Sequence, residues 1–255
     1  MEHQKWPDEI LIVRHGQSAG NVARDEAVAA GHPVIQIASR DMDVPLSELG
    51  ERQAAALGRW FAALPPERRP TVVLTSPYVR TRDTARIVLE TAGMLHDDLP
   101  IIEDERLREK EFGVLDRLTV EGVKERFPDQ MAFRLALGKF YHRPPGGESW
   151  CDVILRLRSV TNTIAREYRH ERVLIVAHQV VVLCFRYILE GLTEEQILTI
   201  DIAQDVANCS VTSYEYEANV GKQGKLVLSQ YNFTAPLEDA GEEVTRKSDV
   251  PVAPK

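Results

Sequence analysis

The segment ILIVRHGQS, residues 10–18, joins an apolar run to a basic pair and a glycine. Four consecutive apolar residues predict a buried strand, so Arg14 and His15 lie at its carboxyl end. In open α/β sheets, ligands bind outside the carboxyl ends of the strands. Arginine can hold a phosphate through two parallel charge-assisted hydrogen bonds, and histidine can be a nucleophile toward phosphorus. The segment alone also fits a strand end that carries two basic residues by chance.

Two later apolar runs also end in polar residues. The run at 71–75 leads to Arg80 in the first turn of a predicted helix, and the run at 173–177 is followed directly by His178. If these strands lie beside the first one, two arginines and two histidines converge at one edge of the sheet. A charged turn, LREKEFG at 107–113, adds a carboxylate to the same set.

Predicted strands alternate with predicted helices along the chain, which favours a three-layer α/β/α sandwich with a mainly parallel central sheet. We interpret residues 1–233 as a single domain, with residues 114–148 as a helical lid insertion over the edge of the sheet. Residues 119–142 are predicted to form one or two helices, broken at Pro128. Residues 234–255 are rich in Pro, Glu, Asp and Lys, a composition that predicts a disordered tail.

The composition limits the classes of function. The 255 residues are 44% apolar, enough for a substantial core, and the net charge of -8 argues against non-specific binding to nucleic acid or to an anionic membrane. Cys151, Cys184 and Cys209 are far apart and lack the spacing of metal ligands, so we expect reduced thiols, no metal and a cytoplasmic protein. No apolar stretch reaches 18 residues and none begins the chain, so neither a membrane span nor a signal peptide is expected.

Six segments together resemble the histidine phosphatase superfamily, also called the phosphoglycerate mutase-like superfamily. Each is a weak motif alone, but their order and spacing make a chance match improbable. The resemblance extends from residue 11 to about residue 232, and it implies the α/β fold of that superfamily. In chain order, the segments are LIVRHGQSAGN (11–21), DVPLSELGERQA (43–54), LTSPYVRTRDTA (74–85), LREKEFG (107–113), PPGGES (144–149) and VLIVAHQ (173–179).

The resemblance also implies a role for each residue at the predicted sheet edge. His15 would be the nucleophile that becomes phosphohistidine. Arg14, Arg80 and His178 would hold the phosphoryl oxygens and stabilise the charge of the transition state. Glu109 would protonate the leaving oxygen and then activate the water that hydrolyses the intermediate.

Four further residues are candidates for substrate binding. Ser18 and Asn21 match positions that line the phosphate pocket in relatives, and Arg134 and Gln179 resemble the pattern of the fructose-2,6-bisphosphatase branch. Glu111 and Glu105 are the alternatives to Glu109 as the catalytic acid in this acidic turn. The resemblance implies a small phosphorylated substrate and no cofactor. Relatives with this fold often form dimers, so a homodimer is the partner to test.

Several substrate-binding residues of known branches are absent from this chain, and their absence indicates to which branch of the superfamily it is most similar. Mutases carry a tyrosine at Phe112, a lysine at Val120 and an arginine pair at Ala136-Leu137, and these groups hold the carboxylate of phosphoglycerate. The fructose-2,6-bisphosphatase branch is closer through the lid, although its arginine falls at Leu183. We therefore expect a phosphatase: a phosphomonoesterase of a small metabolite that acts through phosphohistidine. The alternatives are phosphoryl transfer of the phosphoglycerate mutase type, a protein phosphatase, and a non-catalytic phosphate-binding or scaffold protein.

Overall fold

A computed structural model describes residues 4–246, and a six-stranded sheet forms their centre. The first four strands along the chain run parallel to one another, and the last two form an antiparallel hairpin that pairs with the first strand. The predicted α/β fold with a mainly parallel sheet is confirmed. The strands are β1 (Glu9–Arg14), β2 (Val72–Thr75), β3 (Ile101–Glu103), β4 (Arg172–Ala177), β5 (Val211–Glu217) and β6 (Lys225–Phe233), in the order β3-β2-β4-β1-β5-β6 across the sheet.

Helices cover both faces of this sheet, and polar residues define where several of them begin. Ser47 accepts a hydrogen bond from the Gly50 N–H at 3.1 Å, and Ser149 forms a reciprocal capping box with Asp152. The helices are α1 (Ala19–Ala29), α2 (Glu48–Ala63), α3 (Val79–Thr91), α4 (Val120–Arg126), α5 (Pro128–Tyr141), α6 (Trp150–Glu167), α7 (Gln179–Glu190), α8 (Glu194–Ala203) and α9 (Ala235–Glu238).

The alternation of side chains along β1 separates two apolar cores. Ile10 and Ile12 point to the core that α6 and α7 cover, whereas Leu11 and Val13 point to the core under α2 and α3. A strand buried on both faces reads as a continuous apolar run, because every second residue enters each core. This arrangement is the predicted three-layer sandwich, and it holds the ends of β1, β2 and β4 rigidly side by side.

The segment predicted to be a lid contains α4 and α5, separated at Pro128 as expected. Proline is tolerated in the first turn of a helix, where its missing N–H would have no intrahelical partner. Phe133, Leu135 and Leu137 of α5 are exposed, and Phe140 near its end is buried in the core under α6 and α7. Closure of the segment over a ligand stays a prediction.

Two regions differ from the expectation. Helices α1 and α8 lie in segments for which the sequence analysis predicts no element. The disorder predicted from residue 234 was wrong for residues 234–246. Leu237 of α9 is fully buried in the core under α2, and backbone hydrogen bonds hold the turns around it. These contacts order the segment although its composition is polar. Residues 247–255 lie outside the described part of the chain.

Within residues 4–246, no helix is long and apolar enough to cross a membrane.

Candidate active site

The sheet brings the two predicted site histidines together. Arg14 at the end of β1 pairs with Ala177 at the end of β4, so His15 and His178 follow adjacent strand ends. Their rings are fully buried and meet edge to face, with centroids 5.3 Å apart. Because β2 lies on the other side of β4, the turn that leads from β2 to Arg80 reaches the same edge. The expected convergence of strand ends is therefore present.

The loop after β1 holds His15 in one orientation. Its Nδ1 lies 2.7 Å from the carbonyl oxygen of Gly16, so Nδ1 carries the proton and donates, and Nε2 carries the lone pair of the neutral ring. Gly16 is required here, since a Cβ at this position would lie only 2.5 Å from the carbonyl oxygen of Gly50. The Gly16 N–H also donates to the hydroxyl of Thr84 at 3.0 Å, which fixes the loop against α3.

Ser76 and Tyr78, which follow β2, hold the ring of His178. Its Nε2 lies 2.9 Å from the Ser76 hydroxyl, and its ring packs edge to face on Tyr78 at 5.0 Å. The Arg80 guanidinium lies over the ring of Tyr78, 4.9 Å from its centroid. Burial raises the pKa of Tyr78, so its phenol stays protonated and donates to Glu111 at 3.1 Å. Tyr78 thus links the sheet edge to the charged turn at 107–113.

The two predicted phosphate-binding arginines are buried. Nη1 of Arg14 donates to the carbonyl oxygen of Val206 at 2.6 Å. Nη1 of Arg80 donates to the backbone oxygen of Asp41 at 2.6 Å, and it lies 3.1 Å from a carboxylate oxygen of the same residue. A phosphate that binds at Arg80 would therefore share this guanidinium with Asp41, which is itself half exposed.

Ser18 and Asn21, the two residues predicted to line the phosphate pocket, begin helix α1. The Ser18 hydroxyl accepts from the Asn21 N–H at 3.1 Å, and the Asn21 side-chain oxygen accepts from the Ser18 N–H at 3.0 Å. This capping box explains both residues locally. Both also line a cleft with Arg80 and Asp41, so contact with a substrate stays a prediction.

Glu109 is nearly fully buried in the charged turn, and its carboxylate accepts from the backbone N–H of Lys110 at 2.8 Å. Arg156 of α6 donates to its carbonyl oxygen at 3.2 Å, so a neighbouring helix holds this part of the turn. Glu111, the alternative acid, is exposed and already accepts from Tyr78. Burial therefore favours Glu109 as the acid, since exclusion of water strengthens its interaction with a bound group.

The lid side of the site is basic. Lys110, which the sequence argument did not single out, is buried with its ammonium 4.5 Å from the centroid of the Phe112 ring. Arg134 on α5 is partly buried, and within residues 4–246 it makes no hydrogen bond or ion pair. His142 is also buried, with Nε2 3.3 Å from the side-chain oxygen of Gln130. Lys110 directly follows Glu109 in the sequence, and this position beside the predicted acid was the signal that could have identified it.

Gln179, the last predicted substrate-binding residue, begins α7 immediately after His178. Its amide nitrogen donates to Asp205 at 3.0 Å. Its buried side-chain oxygen has no hydrogen-bond partner in the described part of the chain. The side chain is thus oriented by Asp205 and keeps an acceptor available beside His178. Its contact with a substrate stays a prediction.

Comparison with known proteins identifies the family. The family model for the histidine phosphatase superfamily, branch 1, matches residues 10–227. The chain belongs to the histidine phosphatase superfamily. It is 29% identical over 239 residues, 93% of this chain and 98% of the relative, to a 2,3-bisphosphoglycerate-dependent phosphoglycerate mutase 2 of Gloeobacter violaceus. It is 31% identical to a 2,3-bisphosphoglycerate-dependent phosphoglycerate mutase of a Methylobacterium species, over 87% of this chain and 97% of that one.

Among solved structures, the chain is similar to a mycobacterial glucosyl-3-phosphoglycerate phosphatase. The TM-score is 0.64 with 23% sequence identity, and the match covers 89% of this chain and 100% of the other. At this identity the likeness shows the fold alone. Proteins that resemble this chain thus carry the names of both mutases and phosphatases.

One supporting network in this superfamily member was missed at the sequence level. The Gln17 N–H donates to the side-chain oxygen of Gln53 at 2.9 Å, and the Gln53 amide nitrogen donates to the Thr245 hydroxyl at 3.1 Å. Asn208 donates to the carbonyl oxygen of His15 at 2.9 Å and accepts from the Thr245 hydroxyl at 2.8 Å. The C-terminal segment therefore braces the loop that carries His15 on two sides.

Proposed function

We propose that the protein is a phosphomonoesterase that hydrolyses a small phosphorylated metabolite through a phosphohistidine intermediate on His15. The observation that carries the proposal is the pair of buried rings, His15 against His178 at 5.3 Å, at the strand ends that also bear Arg14 and Arg80. The Nδ1 of His15 donates to Gly16, which directs the lone pair of Nε2 away from the loop and toward an incoming phosphorus atom.

In the first step, Nε2 of His15 forms a bond to phosphorus while the bond from phosphorus to the leaving oxygen breaks. Protonated Glu109 gives its proton to that oxygen, because an alkoxide is a poor leaving group. In the second step, Glu109 takes a proton from water, the oxygen of water bonds to phosphorus, and the bond to Nε2 breaks. Arg14, Arg80 and His178 donate hydrogen bonds to the phosphoryl oxygens in both steps.

Hydrolysis is favoured over mutase transfer by the side chains at three positions. Phe112 has no hydroxyl and packs under Lys110, and Leu137 is an exposed apolar residue. Val120 has no amine. None of these side chains can hold the carboxylate of phosphoglycerate in the manner that the resemblance to mutases requires.

Mutase transfer is the second candidate, since the relatives at 29% and 31% identity are named as phosphoglycerate mutases. Phosphoryl transfer would use the same phosphohistidine, and it would differ in passing the group to a second substrate oxygen instead of to water. Whether the protein is a phosphatase or a mutase therefore depends on two things: how long the phosphohistidine survives, and whether water or a substrate hydroxyl lies beside it.

One experiment separates the two candidates. Phosphorus NMR follows the enzyme with 3-phosphoglycerate, with and without a trace of 2,3-bisphosphoglycerate, and in parallel with sugar phosphates and p-nitrophenyl phosphate. We expect inorganic phosphate to be the main product and its release to require His15. If 2-phosphoglycerate forms faster than inorganic phosphate, the mutase hypothesis replaces the phosphatase hypothesis. Binding of vanadate without turnover of any compound would favour the non-catalytic alternative.

A further inference from the structure

The turn that carries Glu109 has little regular structure of its own. A short 3₁₀ helix, Glu105–Leu107, precedes it, and residues 108–112 lie outside helices and strands. The Glu109 carboxylate accepts a hydrogen bond from the backbone N–H of its neighbour Lys110 at 2.8 Å. A carboxylate that is oriented by its own backbone is placed only as accurately as that backbone, so the contacts that hold the turn determine where the acid lies.

An ion pair between Arg156 of α6 and Glu148 lies beside this turn. The two side chains are 10% and 12% exposed. Nε of Arg156 lies 3.0 Å from one carboxylate oxygen of Glu148, and Nη2 lies 3.1 Å from the other. This fork-like geometry fixes both the distance and the orientation of the two groups. Burial raises the pKa of Glu148, but the hydrogen bond and the charge of Arg156 outweigh it and hold that pKa below its usual value, so the pair is charged at neutral pH.

The same pair holds the backbone of the turn on both sides of Glu109. Nη1 of Arg156 donates to the carbonyl oxygen of Arg106 at 2.6 Å, and Nη2 donates to that of Glu109 itself at 3.2 Å. The Glu148 carboxylate accepts from the Glu111 N–H at 3.1 Å, and the Glu148 N–H donates to the Glu111 carbonyl oxygen at 2.9 Å. Arg156 and Glu148, the clamp, therefore bind backbone groups at three positions of the turn.

The base of the clamp is rigid. Val153 and Leu157, which flank Arg156 on α6, are fully buried in the core. Gly147 lets the loop before α6 approach the turn closely, since a Cβ there would lie 2.7 Å from the Glu111 carbonyl oxygen. The clamp thus ties the turn that carries the acid to a helix whose own position is fixed by the core.

We propose that Arg156 and Glu148 are positioning residues for the catalytic acid: the clamp sets the distance from the Glu109 carboxylate to the leaving oxygen of the bound ester. This inference rests on the proposed function. In this role both side chains act through the backbone of the turn and neither touches the substrate. Proton transfer requires hydrogen-bond reach, and a displacement of about 1 Å can cost about 10²-fold in rate. A loosened clamp should therefore slow those steps in which Glu109 moves a proton.

Two aryl esters of nearly the same shape provide the readout. The leaving oxygen of phenyl phosphate needs a proton, whereas that of p-nitrophenyl phosphate is stable as an anion. The value of kcat/KM reports the steps up to release of this leaving group, so it is not limited by hydrolysis of the phosphohistidine. In Arg156→Lys, which keeps the charge but loses the fork, we expect kcat/KM to fall about tenfold for phenyl phosphate and less than about threefold for p-nitrophenyl phosphate. Arg158→Lys, at an exposed position of the same helix, is the matched control and should change neither value.

A double variant separates positioning from a merely structural role. Once Glu109→Gln has removed the acid, Arg156→Lys should cause no further selective loss with phenyl phosphate, because the clamp has no proton donor left to place. Glu148→Gln is the second variant. It keeps an oxygen that can accept from the Glu111 N–H but loses the charge, and we expect the same selectivity with a smaller loss. Thermal unfolding shows whether each variant is folded, so a folding defect of Arg156→Lys would not leave the question open.

Unchanged values, or losses of equal size with both esters, in Arg156→Lys and Glu148→Gln would overturn the positioning role, as would an additive loss in the double variant. In that case Glu109→Gln would keep its selective loss while the clamp variants lack one. Failure of the proposed function has a different signature. The wild-type protein would then hydrolyse neither ester, or Glu109→Gln itself would show no selective loss, and the clamp would have no acid to position.

Discussion

The sheet edge and the lid-side cluster treat their charges in opposite ways. At the edge, Nδ1 of His15 and the guanidinium of Arg14 each hydrogen-bond to a backbone oxygen, which orients them before any ligand binds. On the lid side, Lys110 and Arg134 make no ion pair within the described residues. Preorganised donors suit chemistry that is common to every phosphate ester. Cations that have no ion-pair partner suit contacts with the part of the substrate that differs from one phosphate ester to another. We therefore expect the sheet edge to carry out the chemical step and the lid side to determine which substrates are accepted.

The largest effect should come from the nucleophile. His15→Ala removes the atom that bonds to phosphorus, so kcat with p-nitrophenyl phosphate should fall at least about 10³-fold. Quenching of the wild-type enzyme in an alkaline denaturant should trap a phosphoenzyme that is stable in base and labile in acid. His96→Ala, an exposed histidine outside the site, is the control. Near-normal turnover by His15→Ala would remove the sheet edge from its proposed role.

The next largest effect should come from the acid. Glu109→Gln should lower kcat by about 10²- to 10⁴-fold for an alkyl phosphate. The loss should be smaller for p-nitrophenyl phosphate, whose leaving group needs no proton. Glu111→Gln is the matched control in the same turn. A larger loss in that variant would transfer the role to the exposed carboxylate.

A third, smaller effect should come from the brace behind the His15 loop. Gln53→Ala removes the contacts to Gln17 and Thr245, and we expect a fall of about tenfold in kcat, because small displacements of a nucleophile are costly. The KM should change little, since Gln53 contacts no substrate in the proposed site. Arg52→Ala, an exposed neighbour that pairs with Glu242, is the control. A change confined to thermal stability would show that the brace is only structural.

The smallest effect should be a pH dependence of substrate binding. With a pKa of about 8, Lys110 is charged at pH 7 and loses its proton as the pH rises toward 9.5. The affinity of the His15→Ala protein for p-nitrophenyl phosphate, measured by calorimetry, should therefore decline severalfold over this interval. The charged groups that face Lys110 are Arg134, Lys139, His142, Glu109 and Glu148. The decline should disappear in Lys110→Met, and an equal decline in that variant would assign the titration to another of these groups.

The sequence alone determined which side chains meet at the edge of the sheet, because its signals are local. The apolar runs of β1 and β4 predict buried strands, and parallel strands necessarily bring His15 and His178 to one edge. The apolar runs that predict these strands can be recognised without knowing which strands are neighbours in the sheet. The same reasoning explains why the break at Pro128 could be predicted, since proline constrains only its own turn.

Only the tertiary structure decided which charges have partners and which polar residues support the site. The charged surroundings of Lys110 depend on Arg134 and Lys139 of α5, which approach it from a later part of the chain, and no spacing rule encodes that approach. Thr245 reaches the His15 loop through Gln53 and Asn208, although composition predicted disorder there. Burial and pairing are properties of residues that are distant in sequence, so they become readable only after the chain has packed.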